Sequence, residues 1–325
     1  MIISRTPLRV SFAGGGSDLK EFYSHKQGAV ASTAINKHMY VTVNKRFDDS
    51  IRISYSKTEI VNSIEEIKHE LVRESMKMTG IEKGIEITTI SDVPAGTGLG
   101  SSSSLTVGLL NALYAFKGIH ASPKRLAEEA CKIEIDILNE PIGKQDQYIA
   151  AYGGIQHIRF NPDDTVFVDP VILAPQIRTE LNNRISLFYL GLKTEGHTVL
   201  KRQKGNTPNR MGTIENMVKF ANLMPTVLSD GDIDEFGLIL DRAWQLKKQL
   251  AKGITDPRID GIYKKAKYAG ALGGKVLGEG GGGFLLLSFP HAKHLAVKAA
   301  IHECREYPIK FDPQGSRIIY VEDEK

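Results

Sequence analysis

Leu8, Val10 and Phe12 alternate with Arg9, Ser11 and Ala13, so residues 6–13 form a strand with one apolar face and Arg9 on the other. Further strands are expected at 39–47, 51–55 and 84–90. Residues 102–117 are apolar nearly all round (Leu105, Val107, Leu109, Leu110, Leu113, Phe116), the pattern of a buried helix. Ser122-Pro123, a capping residue followed by proline, opens a second helix that runs to about Leu138. Strand patterns follow at 154–160, 165–168 and 185–191. The C-terminal half reads as helices at 212–228, 232–251 and 257–270. It closes with strands at 274–278 and 283–289, a helix at 291–304, and strands near 308–311 and 317–321. Strands and helices mix without a regular β-α-β rhythm, which predicts an α+β fold. The boundary between two domains, 1–175 and 176–325, is expected in the proline-bearing, polar stretch 170–184.

One residue contradicts its helix. At 100° per residue, Leu126, Ala127, Ala130, Cys131, Ile133, Ile135, Ile137 and Leu138 form one apolar arc along 123–138, and Glu134 falls in the middle of it. A buried carboxylate is costly unless protonated, ion-paired or bound to a metal. A buried ion pair, a carboxylate at a domain seam, or a Mg²⁺ ligand accounts for it.

Between strand 84–90 and the buried helix lies "DVPAGTGLGSSSS", with Gly96, Gly98 and Gly100 at alternate positions before four serines. Close-approach glycines before a helix N-terminus make an anion site. A serine there can cap the helix, bond a phosphate oxygen or ligate Mg²⁺. The loop is not a Walker A motif, because no lysine follows Gly100. It is not a dinucleotide fingerprint either, since Ser101 stands where the third glycine is needed. A formal G-x-G-x-x-G at Gly278, Gly280 and Gly283 leads into a strand rather than a helix and is rejected as a dinucleotide site on that ground. Asp146, in "GKQDQ", lies at the start of a short helical turn and taken alone reads as a cap.

Composition narrows the class without choosing the chemistry. Only Cys131 and Cys304 occur, far apart, which speaks against a disulfide framework or zinc site and is compatible with a reducing, cytoplasmic setting. No signal-peptide h-region opens the chain, and no apolar run is long enough to span a bilayer. The net charge of +4 suits an anionic small molecule as well as nucleic acid, but no aromatic–basic motif supports the latter.

Three segments in order, "RTPLRVSFAGGGSDL" (5–19), "PAGTGLGSSSS" (94–104) and "GGKVLGEGGGGFLLL" (273–287), resemble the motifs of the GHMP small-molecule kinases. The resemblance implies an N-terminal domain like the second domain of ribosomal protein S5 and a ferredoxin-like C-terminal domain. It implies ATP and Mg²⁺ as cofactors, with ATP held by Pro94, Gly96, Gly98, Leu99, Gly100, Ser101, Ser102 and Ser103. Ser102 and Glu134 resemble the family's metal ligands. Asp146 resembles its catalytic aspartate, and Arg9 its basic residue beside the reacting hydroxyl. Gly15, Gly16, Ser17 and Asp18 resemble the sugar-binding end of the first motif, with Gly281 of the third motif facing the substrate.

The "GGGSD" of the first motif is similar to the branch acting on D-glycero-D-manno-heptose 7-phosphate, where galactokinases have G-E-H-T-D. This implies phosphorylation of the anomeric hydroxyl to the 1,7-bisphosphate, on a small-molecule partner, without nucleic acid or membrane. The basic stretch 191–210 reads either as a solvated basic helix face or as the 7-phosphate contact, with Lys193 or a neighbour as the expected residue. Another anomeric sugar kinase, such as an L-fucokinase, or a silent sugar and ATP sensor remain alternatives.

Overall fold

The computed structural model describes residues 1–191 and 198–322. Its strands are β1 (Ile2–Ala13), β2 (Gly28–Lys45), β3 (Ile51–Ser54), β4 (Thr58–Val61), β5 (Ile85–Ser91) and β6 (Ile155–Phe160). They continue with β7 (Val166–Pro170), β8 (Ile185–Gly191), β9 (Gly273–Val276), β10 (Gly283–Ser288), β11 (Arg305–Tyr307) and β12 (Arg317–Val321).

Eight strands make the first sheet, in the order β12-β1-β2-β5-β3-β4 with β6 on β2 and β7 on β6. Among the described residues only β3 and β5 pair in parallel. The 18-residue β2 pairs β6 along its first third and β5 along its last. Its opening, "GAVASTAI", is buried on both faces and so lacks the alternation that marks a strand, which is why only 39–47 is legible in the sequence. β8, β9, β10 and β11 form a second, antiparallel sheet in the order β11-β8-β10-β9. With helices between β8 and β9 and between β10 and β11, this is the ferredoxin-like β-α-β-β-α-β arrangement.

The all-round apolar helix Ser101–Phe116 is buried because two cores need it. Val107, Leu110 and Tyr114 join one cluster, while Leu105, Leu109 and Leu113 join another. Several expectations are corrected. The stretch 170–184, expected to hold the domain boundary, carries a helix, Pro175–Asn183, with proline in its first turn. A helix covers Thr198–Asn206, within the basic stretch. The strand expected at 308–311 lies at 305–307, and Phe311 makes only an isolated bridge with Ile35. The last strand, β12, pairs β1, so the segment 317–321 belongs to the first sheet and not to a unit 176–325.

The second expected helix also changes character. It is α-helical over Pro123–Cys131 and π-helical over Lys132–Ile137. Ser122 caps it as expected, accepting from the Arg125 N–H at 3.3 Å. The wider turn shifts the phase, so Ile137 is 42% exposed although the straight helical arc had placed it inside.

A single core joins the two sheets. Leu8, Val10 and Phe12 of β1 pack with Leu187 of β8 and with Phe236 and Leu240 of the helix Ile233–Lys247. Phe12 and Phe236 meet edge-to-face at 5.0 Å. Phe12→Ala should therefore cost about 3–5 kcal/mol. In urea, near-ultraviolet and far-ultraviolet signals should still fall in one coincident transition; two separated transitions would show that the sheets do not share a core.

Candidate active site

Arg9 stands on the non-core face of β1, and its own N–H donates to the Leu99 carbonyl at 3.0 Å. Its Nε and Nη2 donate to the two carboxylate oxygens of Asp146, each at 2.6 Å. Its Nη1 donates to the Gly98 carbonyl at 2.5 Å. The planar guanidinium thus fixes the carboxylate and the glycine loop in one plane of approach. Asp146 is in the first turn of the helix Gln145–Tyr152, whose cap position is Lys144. Asp146 does not cap that helix; its carboxylate belongs to Arg9.

Gly96, Gly98 and Gly100 all have left-handed backbones, with φ of 77°, 80° and 73°. At Gly98 the reason is also spatial, because a Cβ there would lie 2.7 Å from the Leu277 carbonyl oxygen. A Cβ on Gly278 would lie 2.5 Å from the Gly98 Cα. The third glycine-rich segment therefore packs directly on the loop of the second, and only glycines allow it.

A cleft of about 790 Å³ runs along this loop, lined by Pro94, Gly96, Gly98, Gly100 and Ser101 to Ser103, with Arg9 and Asp146 on its wall. Leu99 is absent from the lining, since its side chain is buried in the core. Met39, Tyr55, His69, Leu71 and Leu105 also line the cleft. The rings of Tyr55 and His69 meet edge-on at 4.7 Å. This apolar, aromatic surface suits a flat base, and nothing in the local motif advertised it.

The four serines divide their work. Ser104 is buried and donates to the Pro7 carbonyl at 2.8 Å, tying the helix to β1. Ser103 is buried and donates to Glu134 Oε2 at 2.8 Å. Ser101 is half-buried, and Ser102 is exposed on the cleft. The N-cap of this helix is Gly100, with no side-chain cap.

Glu134 is 0% exposed, as its place on the apolar arc required. Its Oε2 also accepts from Gln147 Nε2 at 3.1 Å, while Oε1 has no partner. Thr106, nearby on the helix, donates instead to the Ser102 carbonyl at 3.2 Å. No cation pairs with Glu134 among the described residues, so the ion-pair account of its burial is excluded there. Burial pushes its carboxyl up to about 7, against the pull of its hydrogen-bond donors. An unpartnered buried carboxylate oxygen, beside a serine-bearing helix start that faces a cleft, fits a hard divalent cation with oxygen ligands.

A recess opens off the cleft past Arg9 and Asp146, lined by Gly15, Gly16, Asp18, Gln145, Lys247 and Lys275 among others. Asp18 Oδ1 accepts from the Gly16 N–H at 2.8 Å, and Oδ2 from Gln145 Nε2 at 3.1 Å. Burial raises its pKa, partly offset by the backbone N–H donors. Ser17 is placed differently from its neighbours: buried, it donates to the Gly14 and Ala29 carbonyls at 2.7 and 3.0 Å, a turn-closing role. Gly281 lines neither cavity, and its N–H donates to the Ile254 carbonyl at 2.9 Å. Lys193 lies outside the described residues.

Two residues that the sequence reading passed over are Lys247 and Lys275, both buried in the recess wall. Lys247 had a signal: with Leu240, Ala243 and Trp244 it follows the i, i+3, i+4, i+7 spacing of an apolar face.

A glycine-lined loop before a helix N-terminus, an arginine–aspartate pair at its end, and a polar recess beyond form an arrangement of the kind that phosphoryl transfer uses. Two family models match the chain, "GHMP kinases N terminal domain" over residues 61–154 and "GHMP kinases C terminal" over 219–308. The chain belongs to the GHMP kinase family, whose members use ATP. A relative from Campylobacter jejuni, a D-glycero-alpha-D-manno-heptose 7-phosphate kinase, is 28% identical over 92% of each chain. A crystal structure of a D-glycero-D-manno-heptose 1-phosphate kinase from Bacteroides thetaiotaomicron superposes with a TM-score of 0.83 at 25% identity, covering 99% of this chain and all of that one. Lactococcus lactis galactokinase complexed with galactose shares the fold at a TM-score of 0.77 and 17% identity, over 97% and 94% of the two chains.

The raised pKa of Glu134 gives a signed expectation. In metal-free protein the folded state holds this proton up to about pH 7, whereas the unfolded state loses it near 4.5. Stability from this group is thus present below 4.5 and lost as pH rises through 7. Thermal unfolding in EDTA should show that decline for the wild type and a flatter profile for Glu134→Gln. Identical profiles would mean that Glu134 does not carry the proton.

Proposed function

We propose that this chain is an ATP-dependent sugar kinase that phosphorylates the anomeric hydroxyl of D-glycero-D-manno-heptose 7-phosphate to the 1,7-bisphosphate. The observation that carries this reading is the Arg9–Asp146 pair, which stands where the glycine loop's cleft meets the recess bearing Asp18. The order of the first motif and the similar heptose 7-phosphate kinase support the choice of sugar. The names of the two heptose-kinase relatives differ in which phosphate they cite, so the position of transfer is part of the test.

The chemistry needs little covalent help from the protein and much positioning. Loop N–H groups and the N-terminus of the helix Ser101–Phe116 hold the ATP phosphates. The aromatic end of the cleft receives the base. Ser102 and Glu134 would hold Mg²⁺, which neutralises phosphate charge when bound. Asp146 takes or orients the proton of the attacking hydroxyl, and Arg9 stabilises the charge that develops on the transferring group. Asp18, held by the Gly16 N–H and Gln145, offers its remaining lone pairs to sugar hydroxyls.

ADP release should be strongest with heptose 7-phosphate in a panel of sugars and sugar phosphates, and ³¹P NMR should place the new phosphate on C1. Asp146→Ala should lower kcat by about 10²–10⁴-fold. Turnover that survives Asp146→Ala unchanged would overturn the site, and absence of turnover with every sugar would overturn the kinase reading.

A further inference from the structure

The recess beyond Arg9 holds two buried lysines that the proposed transfer step does not use. Lys247 comes from the helix Ile233–Lys247 and Lys275 from β9, and the two are 6% and 3% exposed. Lys247 Nζ donates to the carbonyls of Val276 at 2.9 Å and Gly278 at 2.6 Å. Lys275 Nζ donates to the Phe12 carbonyl at 3.2 Å. An ammonium has three donors, so one on Lys247 and two on Lys275 are not taken by these carbonyls. Among the described residues no ion pair links either ammonium to a carboxylate.

The carboxylates around the recess are engaged elsewhere. Asp146 is held on both oxygens by Arg9, and Asp18 by the Gly16 N–H and the Gln145 amides. Glu279 accepts from the Leu200 N–H at 3.4 Å. The Ser11 hydroxyl, also in the lining, is buried without a partner. Buried cations are retained when something anionic meets them. Burial, with Arg9 adding to it, pulls the Lys247 pKa down to about 7, and burial with Lys247 and Arg9 pulls Lys275 well below its ordinary value. Glu279, Asp146 and Asp18 pull the Lys247 pKa the other way, but among the described residues none of them forms an ion pair with either lysine.

The recess lies past Arg9 from the glycine loop, so an anion there is not one of the phosphates that the loop binds. The side cavity measures about 90 Å³, and Lys247, Lys275 and Ser11 all line it. Resting on the sugar-kinase reading above, we infer that Lys247 and Lys275, with Ser11, form a subsite for a phosphate monoester that the acceptor sugar already carries. The substrate enters as an anion, and the protein selects it over the unphosphorylated sugar at this point.

The test compares kcat/KM for D-glycero-D-manno-heptose 7-phosphate with that for the unphosphorylated heptose, in wild type, Lys247→Met and Lys275→Met. Each substitution should lower the preference for the phosphorylated sugar by about 30–100-fold, the scale of one or two charge-assisted hydrogen bonds. If the lysines only hold the carbonyls, or serve the transferred phosphoryl group, both sugars lose rate in proportion and the ratio stands, which would overturn the subsite. Calorimetry on the wild type needs no variant to fold. At pH 8, where a sugar phosphate is already dianionic, heptose 7-phosphate should bind with net proton uptake and far more tightly than free heptose. Equal affinities, or binding without uptake, would overturn the inference. A protein that turns over no sugar yet binds the phosphate in this lysine-dependent way would refute the kinase reading and leave the subsite intact.

Discussion

Arg9 makes three side-chain hydrogen bonds and one backbone bond, and the rest of the site is arranged around them. Its Nε and Nη2 hold Asp146, its Nη1 holds the Gly98 carbonyl, and its N–H holds the Leu99 carbonyl. Those partners come from the helix at 145–152 and from the loop at 94–100, which are otherwise joined only through the framework. A rigid five-donor fork can serve two acceptors at fixed angles where a lysine could not. The charge it supplies is delocalised and permanent, so the loop needs no lysine of its own. The positive end of the helix Ser101–Phe116 adds to it from the other side.

Glycine-on-glycine packing is the second constraint. Gly98 and Gly278 approach so closely that neither tolerates a Cβ, which locks the third glycine-rich segment to the anion loop. Lys247 completes that lock by gripping the Val276 and Gly278 carbonyls. Residues nearly two hundred positions apart therefore act as one wall of the cleft. A change in the helix that carries Lys247 is felt in the glycine loop as well as in the recess.

Much of this was legible, for identifiable reasons. β1 announced itself by alternation, with Arg9 correctly opposite Leu8, Val10 and Phe12. Glu134 announced itself by violating a helical face, and it is buried. The same reasoning was not carried to Lys247, which violates a face in the same manner. Lys275 interrupts a short strand with glycines before it, where periodicity has too few residues to speak. Ser103, rather than Ser102, reaches Glu134, because only the three-dimensional phase of the helix decides which serine turns inward. Ser17 and Leu99 stand inside motifs yet serve the backbone and the core, as motif matching cannot distinguish a neighbour from a contact. The first third of β2 and the π turn at 132–137 escaped for one shared reason: burial on both faces, or a change of pitch, erases the period that sequence reading depends on.

The core that Phe12 shares with Phe236 bears on how such a molecule can move. Hinged enzymes join rigid bodies through a few backbone residues and leave the seam between them thinly packed. Here the seam is itself packed interior, continuous from Leu8 through Leu187 to Leu240, and close-packed interiors do not deform smoothly. Substrate entry and product escape then fall to the segments that border the cleft, whose local opening costs less than prying the sheets apart. A core shared this way sets the two sheets as one anvil, with the rims and loops left as the parts free to move.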